Sequence, residues 1–141
     1  MSTTTATSCT IEPVDTTDMR KPVVVNLATG IEENPERVML AMFAAESALA
    51  SGKRTLLFLS LEAILLMFPG ALEGEIPCEG CPSLDKLFRQ LVRAGIEIYV
   101  CPMCLRARHL DPEDLVEPAV PAGTAQMMKW IGDRDATVFS Y

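Results

Sequence analysis

Apolar positions along the chain fall into short unbroken runs separated by stretches with a helical beat. Val23-Val24-Val25-Asn26-Leu27 is a β-branched run of the kind found in strands covered on both faces. After the loop Ala28 to Glu33 comes Asn34-Pro35-Glu36: a capping side chain, a proline suited to the first helical position, and an acid in the first turn. A helix is therefore expected from there to about Ala50, with Gly52 as its terminator. Ala, Met, Leu and Phe occupy most of its circumference. A helix apolar nearly all round has cover on both sides, which points to a subunit interface.

Arg54 to Ser60 reads as the second strand, Leu61 to Phe68 as a short helix and Pro69 to Ser83 as a loop. Thr55 to Leu72 is apolar apart from Ser60 and Glu62, but Pro69-Gly70 ends it short of the roughly 20 residues a membrane span needs. Leu84, Leu87, Phe88, Leu91 and Val92 form the stripe of an amphipathic helix, capped by Ser83 and stopped by Gly95. Ile96 to Val100 is the third strand and runs straight into Cys101. A short helix from Pro102 to about Arg108, a brief strand at Glu117 to Val120, a helix at Thr124 to Ile131 and a closing strand at Ala136 to Ser140 complete the pattern. Strands alternating with helices imply a mostly parallel sheet with helices on both faces. Residues 1 to 20 are Thr-rich and without hydrophobic period, so they are expected as a mobile tail before a single domain over 21–141.

Composition narrows the functional classes. A length of 141 residues is one domain's worth, and 49% apolar against 22% charged residues is a globular balance. The chain carries 12 Lys and Arg against 19 Asp and Glu, a net charge of −7. That excludes a general nucleic-acid binder, which needs clustered cations, and disfavours anionic lipid surfaces. The first residues lack the basic start and apolar run of a signal peptide, so a cytoplasmic location is expected. No glycine-rich phosphate-binding motif is present. The methionines read as core and interface filler.

The chemistry is concentrated in the cysteines, which stand at 9, 78, 81, 101 and 104. Cys9 reads as an incidental thiol of the tail. The others form two Cys-x-x-Cys pairs. In a right-handed βαβ unit a helix starts at the edge where strands end, so the pair before the helix at 84 and the pair after the third strand share the carboxyl edge of the sheet. An 11-residue helix rises about 16 Å and a five-residue strand about 17 Å, so the path nearly closes and can bring the pairs together.

Several readings follow. Cys101, capping the helix that begins at Pro102, is placed as a nucleophile whose thiolate the helix N–H groups stabilise; such a thiol can carry sulfane sulfur as a persulfide or attack a disulfide. Arg106 and Arg108 would add positive potential or else point to water, and His109, the single histidine, reads first as a residue at the end of the short helix and otherwise as a group that orients an anion or shares a proton with Cys101. Alternatively Cys78, Cys81, Cys101 and Cys104 hold a structural zinc ion, for which the spacing is suitable. A third reading makes one or both pairs dithiol/disulfide redox switches. The plainest makes them small core residues.

The segment Gly80-Cys81-Pro82-Ser83-Leu84, then Ala94-Gly95-Ile96-Glu97-Ile98-Tyr99-Val100-Cys101-Pro102-Met103-Cys104-Leu105-Arg106-Ala107-Arg108, resembles the DsrE/DsrF-like family of small sulfur-relay proteins. Glu113-Asp114-Leu115-Val116-Glu117, Gly123 before the penultimate helix and the closing strand extend the likeness over about residues 22 to 141. The resemblance implies a three-layer α/β/α fold with a five-stranded parallel sheet, a homo-oligomer (trimer or hexamer), and sulfur donor and acceptor proteins as partners. It also implies a cysteine that accepts and passes on persulfide sulfur, at Cys101 here; no cofactor is expected, with zinc as the alternative. With Cys101 as carrier, Cys104 is expected to resolve or accept the sulfur, and the protein acts as a sulfurtransferase or a sulfur carrier. Two features depart from the family pattern: His109 stands where a glycine is usual, and Cys78, Cys81 and Cys104 belong only to a subset of relatives.

Overall fold

Five strands form one sheet: β1 (Val23–Leu27), β2 (Thr55–Leu59), β3 (Glu97–Val100), β4 (Val120–Pro121) and β5 (Thr137–Ser140). They lie in the order β4-β3-β2-β1-β5 with every pairing parallel. The structure, a computed structural model, describes residue 13 and residues 21–74 and 79–141. The expected tail over residues 1–20, Pro13 apart, with Cys9 in it, lies outside the described residues, as does Cys78.

The strand order dictates the layers. The chain steps from β1 through β2 and β3 to β4 in one direction, then returns past β1 to lay down β5. Right-handed crossovers place connections made in one direction on one face and the return connection on the other. Accordingly α1 (Pro35–Ala50), a 3-10 helix (Leu61–Met67), α2 (Leu84–Arg93) and α3 (Pro102–Ala107) share one face with the main core, while α4 (Thr124–Ile131) covers the opposite face. The unbroken apolar run of β1 is explained by this double cover. Val23, Val25 and Leu27 join Leu57, Leu59, Ile98 and Val100 under α1 and α2, and Val24 joins Leu56 and Trp130 under α4.

Local signals set the helix limits. The Asn34 side chain accepts the Arg37 N–H at 3.0 Å and Pro35 opens α1. Val38, Met39, Met42, Ala45 and Leu49 of α1 are buried against the sheet and α2, while Leu40 remains 54% exposed on the outer side. At the amino ends of the strands a charged clamp seats α4. Glu97 accepts two Arg54 N–H bonds of 2.8 Å and the Trp130 Nε1–H at 2.9 Å, and the Arg54 guanidinium lies 4.8 Å from the Trp130 ring centroid.

The fold class and the run of elements agree with the sequence reading, with two local differences. The short helix expected after β2 is of the 3-10 type. A further 3-10 turn, Pro112–Asp114, is built where Asp111 caps the Glu113 N–H at 2.9 Å. The fourth strand was expected at Glu117 to Val120 but pairs only over Val120–Pro121, because a turn closed by Ala119 N–H to Val116 C=O (3.0 Å) occupies the preceding residues. Among the described residues no helix is long and apolar enough to cross a membrane.

Candidate functional site

The carboxyl edge of the central strands gathers the candidate chemistry. Cys101 directly follows β3, and its N–H still reaches the β2 ladder at Leu59 C=O (2.9 Å). Pro102 then lacks a donor and fixes its φ for the first helical position, so the ladder ends and α3 begins. Cys101 is thereby the cap of α3: its sulfur accepts the Cys104 N–H at 3.4 Å and its carbonyl accepts the Leu105 N–H at 3.1 Å. This is the placement the sequence implied. Cys101 is half-buried, Met103 beside it is exposed, and both Cys101 and Cys104 are free thiols.

Cys104 faces inward. It is 2% exposed, packed in the main core with Leu105, and its sulfur accepts the main-chain N–H of Leu61 at 3.2 Å. Leu61 is the first residue of the 3-10 helix and adopts a left-handed φ of 51°. That conformation costs a non-glycine residue about 1–2 kcal/mol. Burial pushes the Cys104 thiol above its ordinary value; the Leu61 N–H and the Arg108 cation act in the opposite direction without cancelling it. The neighbouring Cys101 thiol, hydrogen-bonded to Cys104, adds to the rise.

The predicted supporting residues divide. Arg108 donates to Glu62 Oε1 through Nε (2.9 Å) and lies 2.8 Å from it through a second nitrogen, and it donates to the Cys104 carbonyl at 3.3 Å. It braces α3 against the 3-10 helix. Arg106 is exposed in the last turn of α3. His109 is exposed with φ 55°, and the Leu110 N–H closes back on the Leu105 carbonyl at 3.0 Å. His109 therefore occupies the left-handed position that ends a helix, where glycine is the usual residue. Neither sulfur's hydrogen bonds involve its ring.

Sequence reasoning missed Leu61 and Glu62. Glu62 left one signal, as the single charge in the apolar stretch from Thr55 to Phe68; Leu61 acts through its backbone and left none. Glu62 also lines a cavity of about 570 Å³ between the β1–α1 loop and the 3-10 helix, together with Gly30, Glu32, Glu33 and Leu65. Cys81 precedes α2 as expected, packs against the main core and is disulfide-bonded. Among the described residues no three His, Cys, Asp or Glu side chains gather as a metal site, and Cys78, the remaining member of the four-cysteine zinc set, lies outside them.

An all-parallel α/β sheet with a capping thiol at its carboxyl edge thus defines the class. The model of the DsrE/DsrF-like family matches residues 23–139, from the start of β1 into β5, and the chain belongs to that family. It is similar to an uncharacterised protein of Methanopyrus kandleri, MK0008, at 28% identity over 104 residues, covering 74% of this chain and 82% of that protein. Among solved structures it is similar to the ychN protein from E. coli (TM-score 0.62, 20% identity, 87% of this chain and 100% of that one). It is also similar to MTH1491 from Methanobacterium thermoautotrophicum, a protein of unknown function (TM-score 0.63, 16% identity, 86% of this chain and 99% of that one). These two likenesses concern the fold.

Proposed function

We propose that the protein accepts and passes on sulfane sulfur, carried as a persulfide on Cys101. The observation that carries this reading is the position of the Cys101 sulfur: half-buried at the carboxyl edge, capping α3, with a second free thiol one helical turn away. Transfer needs no oxidant. The Cys101 thiolate attacks the outer sulfur of a donor persulfide, a new S–S bond forms at Cys101, and the donor leaves as a thiol with the proton. Exposed Met103 and Leu61 flank the edge with apolar surface and Arg106 adds a cation, features suited to docking donor and acceptor proteins. A homo-oligomer is part of the proposal, supported by Leu40 and the partly buried Phe43 on α1. So is a cytoplasmic setting, because the pair works as free thiols.

The test supplies labelled sulfur from a cysteine desulfurase to wild type and Cys101→Ser. Wild type is expected to take up label and the variant to take up none; uptake by Cys101→Ser overturns the assignment. Elemental analysis of protein purified without chelator separates the four-cysteine alternative, for which near one zinc per chain is the signature.

A further inference from the structure

We infer that Cys104 is a resolving thiol that converts the Cys101 persulfide into free hydrogen sulfide, leaving a Cys101–Cys104 disulfide. The inference rests on the proposal that Cys101 carries the sulfur and says what happens to it when no acceptor protein takes it.

Three observations support it. First, Cys104 is closed to other proteins. At 2% exposure within the main core it cannot be loaded or discharged by a partner, so its chemistry is with Cys101. Second, the two sulfurs are neighbours. Cys101 Sγ accepts the Cys104 N–H at 3.4 Å, which holds the two residues side by side on one turn. Residues three apart on one helical turn bring their Cα atoms within the roughly 4.4–6.8 Å that a disulfide spans. The atom of Cys101 that lies against Cys104 is Sγ, the inner atom of a persulfide, and attack there expels the outer atom.

Third, the surroundings are set for a thiolate that exists only briefly. Burial keeps Cys104 protonated at rest, which protects a loaded carrier from immediate discharge. Yet the Leu61 N–H already points at its sulfur from 3.2 Å, from a backbone conformation that leucine seldom adopts, and the Arg108 cation stands one turn further along. Both favour the charge that Cys104 develops as it attacks.

The step balances. The bond between Cys101 Sγ and the outer sulfur breaks and its electron pair leaves with the outer sulfur. Cys104 Sγ bonds to Cys101 Sγ, and the Cys104 proton goes to the departing hydrosulfide, giving hydrogen sulfide. The two cysteine sulfurs are together oxidised to a disulfide and the outer sulfur is reduced to sulfide. A protein dithiol of the thioredoxin class then reduces the disulfide and readies the chain for another load.

The experiment uses the full reduced chain, loaded by a cysteine desulfurase and sulfur-labelled cysteine, then desalted without reductant. Wild type is expected to release labelled sulfide, one per loaded chain, as peptide mapping shows the Cys101–Cys104 disulfide appear. Cys104→Ala, and Cys104→Ser as a second variant should alanine perturb the core, are expected to hold on Cys101 whatever label they take up, with release read per loaded chain. A wild type that holds its label as long as these variants, or that shows label on Cys104, overturns the inference and leaves the carrier role intact. Failure of wild type and both variants to load at all overturns the carrier role itself, and this inference with it.

Discussion

The main-chain N–H of Leu61 ends 3.2 Å from the sulfur of Cys104, joining the start of the 3-10 helix after β2 to the helix that follows β3. Through it the carboxyl end of one strand offers a backbone donor to a thiol that follows the next.

The raised Cys104 thiol makes a pH prediction. In the unfolded chain a cysteine titrates near about 8.5, and the folded value lies higher. The folded state therefore keeps a proton that the unfolded state gives up. The stability associated with this thiol is fully present below the unfolded value and declines as pH rises through it toward the folded one. Urea unfolding from neutral pH upward should show wild type losing stability relative to Cys104→Ala, and a constant difference would contradict it. In the same range iodoacetamide should modify Cys101 well before Cys104.

Breaking the Glu62–Arg108 pair should cost little stability and still be felt at the sulfur. Both side chains are partly exposed, so Arg108→Gln is expected to cost no more than about 1 kcal/mol in urea unfolding. Since the Arg108 charge lowers the Cys104 thiol, its removal should move the onset of Cys104 alkylation to higher pH. An unchanged profile would show that the cation does not act there.

Glu97 serves three donors at once, and its loss should be larger. Glu97→Ala strands the Arg54 guanidinium and the Trp130 Nε1–H, with an expected cost of about 2 kcal/mol. Trp130 is the single tryptophan, so its emission should shift to the red as α4 loosens. Glu97→Gln keeps one acceptor and should lose less on both measures.

Gly30 marks a close approach of the β1–α1 loop to the 3-10 helix. A Cβ there would lie 2.8 Å from the Glu62 Cβ and 3.2 Å from its carbonyl oxygen. Gly30→Ala is expected to cost about 1–3 kcal/mol, read as a lowered melting temperature. A neutral result would mean that the loop gives way freely.

The elements that were legible are those whose limits are written in local chemistry. Asn34-Pro35 opens α1 and Ser83 caps α2 where the sequence places them, because capping needs only neighbouring residues. Cys101-Pro102 marked the capping thiol for the same reason. Which of the paired cysteines meets water was not legible, since α3 has only six residues and shows too little of a stripe to orient it. Leu61 and Glu62 reach the site from the preceding crossover, through contacts of sequence separation 43 and 46, and no short motif records such a meeting. His109, readable in the sequence as the end of a short helix, owes its place to a dihedral angle: it fills the left-handed stop of α3, a position glycine usually takes.

The two margins of the sheet differ in their resistance to unwanted pairing. β4 is two residues long and contains a proline, which has no amide to donate, so it makes a poor template for a foreign strand. β5 offers four residues, with Val138 and Phe139 showing to solvent and no proline among them. Self-association by strand addition is thus channelled to the β5 margin, and a lysine or proline placed there is where this chain would most cheaply be protected against aggregation.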